Sequence, residues 1–204
     1  MTGLREQKKL ETRAALFRAA MALFAERGYD AVSIAEIAAA ANVSKMTVFN
    51  YYPTKEDLVF APMEEHIDEF ADVVRARPAG TGVVAALRAH FLDQLAAFEP
   101  ATGLTDVPHV IASQRLIMST PALLPRLRAS VFRSEDALAD ALAKDTDPLT
   151  GHLAAAQIVA ARAVLMLDNH ERVLALGSAA AALPGALAAA ERAFDLLDRG
   201  LGTL

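Results

Sequence analysis

The chain has 204 residues, room for one large domain or for a small head on a larger body. It is 54% hydrophobic and 22% charged, which supports a sizeable buried core and excludes a disordered chain. It contains no cysteine, which excludes disulfide frameworks, thiolate zinc sites and cysteine nucleophiles and leaves a reducing, cytoplasmic setting as the expectation. The opening MTGLREQKK lacks the apolar core of a signal peptide. The longest uncharged run, Val173 to Ala190, is interrupted by Gly177, Pro184 and Gly185, so no membrane span is expected. The net charge of −5 is unevenly spread: residues 1–60 hold eight Lys/Arg and seven Asp/Glu, residues 61–204 twelve and eighteen. DNA binding needs a local basic face rather than a basic protein, and Arg5, Lys8, Lys9, Lys45 and Lys55 offer one.

No sustained period-two alternation occurs, and alanine and leucine dominate, so the expected class is all-α. A first helix is predicted from about Arg5 to Arg27. Phe17, Ala20, Met21 and Phe24 form its apolar stripe, and Gly28 follows as a left-handed terminator. Ser33 caps a second helix, with Glu36 completing a capping box and Ile34, Ile37 and Ala38 on its buried side. Asn42 occupies the following turn, where asparagine tolerates positive φ. Ser44 caps a short third helix that Pro53 ends. Thr54 caps a fourth, whose early Glu56 and Asp57 suit the helix dipole. Two short helices joined by a tight turn read as a helix-turn-helix, a device that sets a helix in the DNA major groove.

Beyond Thr54, Pro/Gly punctuation predicts longer helices. The fourth continues to about Ala76. The fifth spans Val83 to Phe98, the sixth Val107 to Met118, and the seventh Thr120 to about Lys144. Asp147, Pro148 and Gly151 interrupt the chain. The eighth helix starts near His152, and Pro184 opens the ninth.

The segment from Leu10 to Leu58 resembles the DNA-binding head of TetR-family repressors. The likeness rests on Phe24-Ala25-Glu26-Arg27-Gly28-Tyr29, Ile37-Ala38, Val43-Ser44 and the run Thr47 to Leu58. It implies a helix-turn-helix domain at residues 1–54 and a helical ligand-binding and dimerisation domain at 55–204, about nine helices in all. It also implies a ligand-responsive repressor that binds a palindromic operator as a homodimer and is released by a small molecule. Lys45, Met46, Thr47 and Asn50 are then placed to read base edges and thymine methyls. Tyr51 and Lys55 are placed to hold phosphates. Ser33 and Ser44 suit either phosphate contact or capping alone. Arg5, Lys8 and Lys9 resemble the N-terminal extensions that touch DNA in some members, or form a solvated tail. Phe49 stands where the family commonly has tyrosine, Asn42 where it often has glycine, and Ala35 at a position polar in some relatives.

By the same resemblance the last two helices pair with their copies as a four-helix bundle. Ile158 and Leu165 on the eighth and Leu187, Phe194, Leu197 and Leu201 on the ninth form the expected homodimer stripes. Candidate pocket residues are Met63, His66, Ile67 and Phe70 on the fourth helix, Phe91, Gln94 and Phe98 on the fifth, and Gln114 on the sixth. Phe132 on the seventh and Met166, Asn169 and His170 on the eighth complete the set, which favours a mostly apolar effector. The unbroken fourth helix would carry coupling from pocket to head.

Two rival readings stand beside this one. An enzyme lacks support: no Glu-x-x-His pair, nucleophile elbow, phosphate loop or dinucleotide fingerprint is present, so neither metal nor cofactor is expected. The other is a helical ligand-binding or protein-interaction module without sequence-specific DNA binding.

Overall fold

The computed structural model describes residues 3–201; the side chains of Leu4, Arg5 and Leu201 lie outside that description. All regular structure among the described residues is helical, with ten α-helices and two 3-10 turns. The chain divides into two compact units, one of residues 1–64 with 108–127, the other of residues 65–107 with 128–204.

In the first unit, α1 (Leu4–Arg27), α2 (Ile34–Ala40), α3 (Lys45–Tyr51) and α4 (Lys55–Glu64) close around α7 (Pro108–Ser119). The predicted stripe of α1, Phe17, Ala20, Met21 and Phe24, is buried in this core. Ile37 and Ala38 of α2, Val48 of α3, Leu58 to Ala61 of α4 and Leu116 and Ile117 of α7 join it. The compact unit therefore takes in α4 and α7 besides residues 1–54.

The second unit holds α5 (Glu69–Ala76), α6 (Val83–Ala96), most of α8 (Leu124–Leu142), α9 (Pro148–Leu176) and α10 (Ala179–Leu201). Its core gathers Phe70, Phe91, Leu95, Leu138, Ile158, Leu165 and Phe194. The rings of Phe91 and Phe194 lie 5.9 Å apart, a productive aromatic distance. Arg88 bridges to Asp195 at 2.6 Å and Glu191 at 3.3 Å, tying α6 to α10.

Three boundaries differ from those read off the sequence. The fourth helix does not run to Ala76; it stops at Glu64, and a new helix begins at Glu69. Asp147 and Pro148 do not interrupt but initiate α9: the Asp147 carboxylate accepts from the Leu149 and Thr150 amides at 3.1 and 3.2 Å, with proline at the first helical position. Pro184 lies inside α10 instead of opening it. The Ser178 hydroxyl accepts from the Ala181 amide and Asp106 from the Ala179 amide, which moves the start of α10 back to Ala179.

By length and composition α9 would suffice to cross a bilayer. In this fold one of its faces, with Ala154, Ala155, Ile158 and Val159, is spent on the second unit's core.

Candidate nucleic-acid interface

The turn between α2 and α3 is built by local chemistry. Asn42 has φ of 54°. Its amide donates to the Ala39 carbonyl and that of Val43 to the Ala38 carbonyl, the paired bonds that close a helix on a left-handed residue. At the start of α2 the Ser33 hydroxyl accepts from the Glu36 amide at 3.3 Å, while the Glu36 carboxylate accepts from the Ser33 amide at 2.9 Å. At the start of α3 the Ser44 hydroxyl accepts from the Thr47 amide at 3.0 Å and lies 2.8 Å from the Thr47 hydroxyl. Ser33 and Ser44 are thus committed to capping, and Thr47 has its hydroxyl engaged by Ser44.

Burial of Val48 and Tyr52 sets the rotation of α3. That leaves Lys45, Met46, Phe49 and Asn50 exposed on its outer side. Met46 is 68% exposed and Phe49 45%, a cost in water that an apolar partner such as a thymine methyl would remove. Sequence reasoning missed Phe49 as an outward residue. Phe49 carries no polar atom to mark it as a contact, although its place next to buried Val48 puts it on the free side.

The Lys55 ammonium, expected at a phosphate, is engaged within the protein. It donates to the Tyr29 carbonyl at 2.8 Å and the Val32 carbonyl at 3.2 Å, and lies 4.1 Å from the Tyr29 ring centroid. The Tyr29 hydroxyl donates to Glu56 at 2.7 Å. Burial, then this bond to Glu56, pushes the Tyr29 phenol above its usual range. Lys55, Tyr29 and Glu56 together fasten the start of α4 to the α1–α2 loop.

Lys8 and Lys9 are helical rather than part of a frayed tail, because α1 begins at Leu4. With Glu6, Thr12, Asn50 and Tyr51 they line a cleft of about 640 Å³ between α1 and the end of α3. The Lys9 ammonium lies 3.8 Å from the Glu6 carboxylate, while the Lys8 ammonium, the Tyr51 phenol, the Asn50 amide and the Thr12 hydroxyl around the same concavity suit a phosphodiester. The Arg5 side chain lies outside the described residues.

The twelve candidate pocket residues divide between the units. Met63 and Gln114 fall in the first, where Met63 packs against the core. In the second, Phe70 and Phe91 are core, and Phe98 and Phe132 stand exposed, which corrects their expected place in a pocket wall. Phe98 has φ of 56° and ends α6 by the same pair of bonds as Asn42, so its ring points away from the helix body. Phe132 lies beneath Arg128, 5.3 Å from its guanidinium carbon. Asn169 and His170 are buried, and the Asn169 amide donates to the Thr102 carbonyl at 2.8 Å. Met166 half-buries against the neighbouring loop: Gly103, with φ of 78°, sits so close that a Cβ there would fall 2.1 Å from the Met166 carbonyl oxygen. His66 and Gln94 meet at the Glu69 carboxylate, and Ile67 gives its carbonyl to Ser134.

The expected homodimer stripe is also corrected. Ile158, Leu165, Phe194 and Leu197 are buried within the chain itself and Leu187 is half-buried, so they already have their apolar partners. Leu201 falls outside the described side chains. The outward row of α9 is instead Leu153, Gln157, Ala160, Val164, Leu167, Glu171 and Leu174, alternating steps of four and three. Leu153 is 56% and Val164 66% exposed.

Comparison with known proteins agrees with this geometry. Residues 16–61 match the family described as "Bacterial regulatory proteins, tetR family". The chain is 30% identical over 172 residues to the HTH-type transcriptional regulator TcmR of Streptomyces glaucescens, spanning 83% of this chain and 68% of that protein. It is 37% identical over 89 residues, 43% of each chain, to the HTH-type transcriptional repressor LfrR of Mycolicibacterium smegmatis. Salmonella enterica GusR shares the fold with a TM-score of 0.60 at 23% identity, over 95% of this chain and 96% of that one. A SmeT–triclosan complex does so with a TM-score of 0.61 at 17% identity, over 93% and 91%.

Proposed function

Because the chain belongs to the tetR family of bacterial regulatory proteins and is a DNA-binding transcriptional regulator, we propose that it is a homodimeric repressor. It binds a palindromic operator and is released by a small, mostly apolar effector. The carrying observation is the outer row of α3. Lys45, Met46, Phe49 and Asn50 stand clear of the core on a helix whose start and rotation are rigidly set. A groove-reading helix requires that combination of exposed donors and apolar tips on a fixed support. The cleft lined by Lys8, Lys9, Asn50 and Tyr51 supports phosphate contact beside the recognition helix.

The 3-4 row on α9 supports pairing with a second copy. Exposed leucine and valine at coiled-coil spacing remain unsatisfied in one chain and are mutually satisfied across a twofold axis. Two heads so joined would meet successive major grooves about 34 Å apart. SmeT, of similar fold, has been solved with triclosan, which makes that compound a first effector to titrate.

Selection from random duplex DNA at two salt concentrations tests this reading. The expected outcome is an enriched palindrome with half-sites about one helical turn apart. Asn50→Ala should change the preferred bases. Lys8→Ala with Lys9→Ala should lower affinity for every duplex and flatten the salt dependence, as loss of released counterions requires. Weak binding with no enriched sequence would overturn the proposal.

A further inference from the structure

The sequence from Lys55 to Ala76 reads as one helix. Pro62 is its sole proline and it has no glycine, while Glu64, Glu65, Glu69 and Ala71 are good helix formers. The structure nevertheless leaves the helix at residues 65–68. Pro62 inside α4 leaves the Leu58 carbonyl without its amide partner and weakens the helix locally, and distant side chains then support the break.

The His66 carbonyl accepts from the Glu69 amide at 3.4 Å in a tight turn, and distant side chains add to the break at two carbonyls. Arg162 of α9 donates to the His66 carbonyl at 3.3 Å, and the Ser134 hydroxyl of α8 donates to the Ile67 carbonyl at 3.1 Å. In an unbroken helix these carbonyls would accept from the Phe70 and Ala71 amides. The first residue after the break is then clamped. The Glu69 carboxylate receives Arg162 at 2.8 Å, His90 at 3.1 Å and Gln94, and His66 Nδ1 lies 3.4 Å away. The Arg162 guanidinium carbon sits 4.7 Å from the Phe70 ring centroid.

This clamp is electrostatically costly to leave half-made. Burial raises the Glu69 carboxyl, but the hydrogen bonds from His66 and His90 and the charge of Arg162 hold it well below the usual carboxylate range. Burial lowers Arg162, and Glu69 opposes that shift. Removing either member strands the other charge out of water, so the pair is made or released as a whole. A cleft of about 570 Å³, lined by Glu65, His66, Glu69, Asp72 and His90 among others, opens beside it.

We propose that residues 65–68 form a two-state switch segment. In the state observed, Arg162, Ser134 and Glu69 hold the chain out of the helix. In the other state the segment is helical, and the His66 and Ile67 carbonyls accept from the Phe70 and Ala71 amides instead. Release of the Glu69–Arg162 pair selects the second state. The segment follows directly in sequence on Glu64, where the first unit's N-terminal stretch ends. A solute that favours one state biases operator affinity by its preference.

Hydrogen exchange at the Phe70 and Ala71 amides, measured on the whole protein without DNA, tests the switch. These amides should exchange rapidly in the native chain. Arg162→Met and Glu69→Gln should each slow them at least tenfold while α9 and α10 keep their protection. Ser134→Ala, a milder change, should slow them less and in the same direction. Adding Asp68→Gly to Arg162→Met should restore rapid exchange, because glycine disfavours the helix. Unchanged exchange in all three single variants would overturn the proposal. So would accelerated exchange throughout α5 and α9, which would mean that the clamp supports the fold and nothing more. The result is independent of operator binding, which the duplex selection decides separately.

Discussion

At the scale of single residues, a side chain's type fixed its chemistry while its neighbours chose the use. Lys55 has the charge and helix-start position of a phosphate ligand, yet two carbonyls and an aromatic face absorb its ammonium. Glu36 shows the opposite case, because its partners are local. The Ser33 hydroxyl first, then the Ser33 backbone and Arg27, lower its carboxyl to about 2. The folded value lies below the ordinary one of about 4.3. The resulting stabilisation is complete above the ordinary value and is lost as pH falls from there towards about 2. Melting temperatures of the native chain should therefore decline over that window more steeply than those of Glu36→Gln. Parallel curves would show that the capping box carries no pH-dependent stability.

Among elements, those determined by interactions within a turn of helix were legible beforehand. The caps at Ser33 and Ser44, the left-handed turn at Asn42 and the buried stripe of α1 all follow from groups within a few residues of one another. Asn42→Val should destabilise the first unit by about 1–2 kcal/mol, the cost of a β-branched residue at positive φ. Asn42→Gly should be neutral or stabilising. Urea unfolding of both variants measures the difference, and equal stabilities would remove the turn from the fold's determinants. The position of the α4–α5 break was only partly legible: Pro62 is local, but Arg162 reaches the break from 96 residues along the chain. The outward row on α9 was not legible. That helix is apolar on several sides, so periodicity reveals stripes without saying which faces solvent. Gln157 and Glu171 were the available clue, because a row interrupted by such residues belongs outside.

For the whole molecule, the proposed function requires two copies. Val164→Glu places a charge in the middle of the outward α9 row and leaves the chain's own core untouched. Light scattering should then report a monomer, with operator affinity reduced at least tenfold and helical content retained. A dimer of unchanged strength would move the interface elsewhere.

The sequence by itself determined the helical class, the helix-turn-helix and the family resemblance. These rest on capping, turn chemistry and periodicity, all written within a few residues of chain. Tertiary structure decided which stripes face inward, where Lys55 sends its charge and where the helix after the head is broken. Those outcomes depend on partners from 23 to 96 residues away, brought together only when the core has closed and left each polar group to find what lies within its reach.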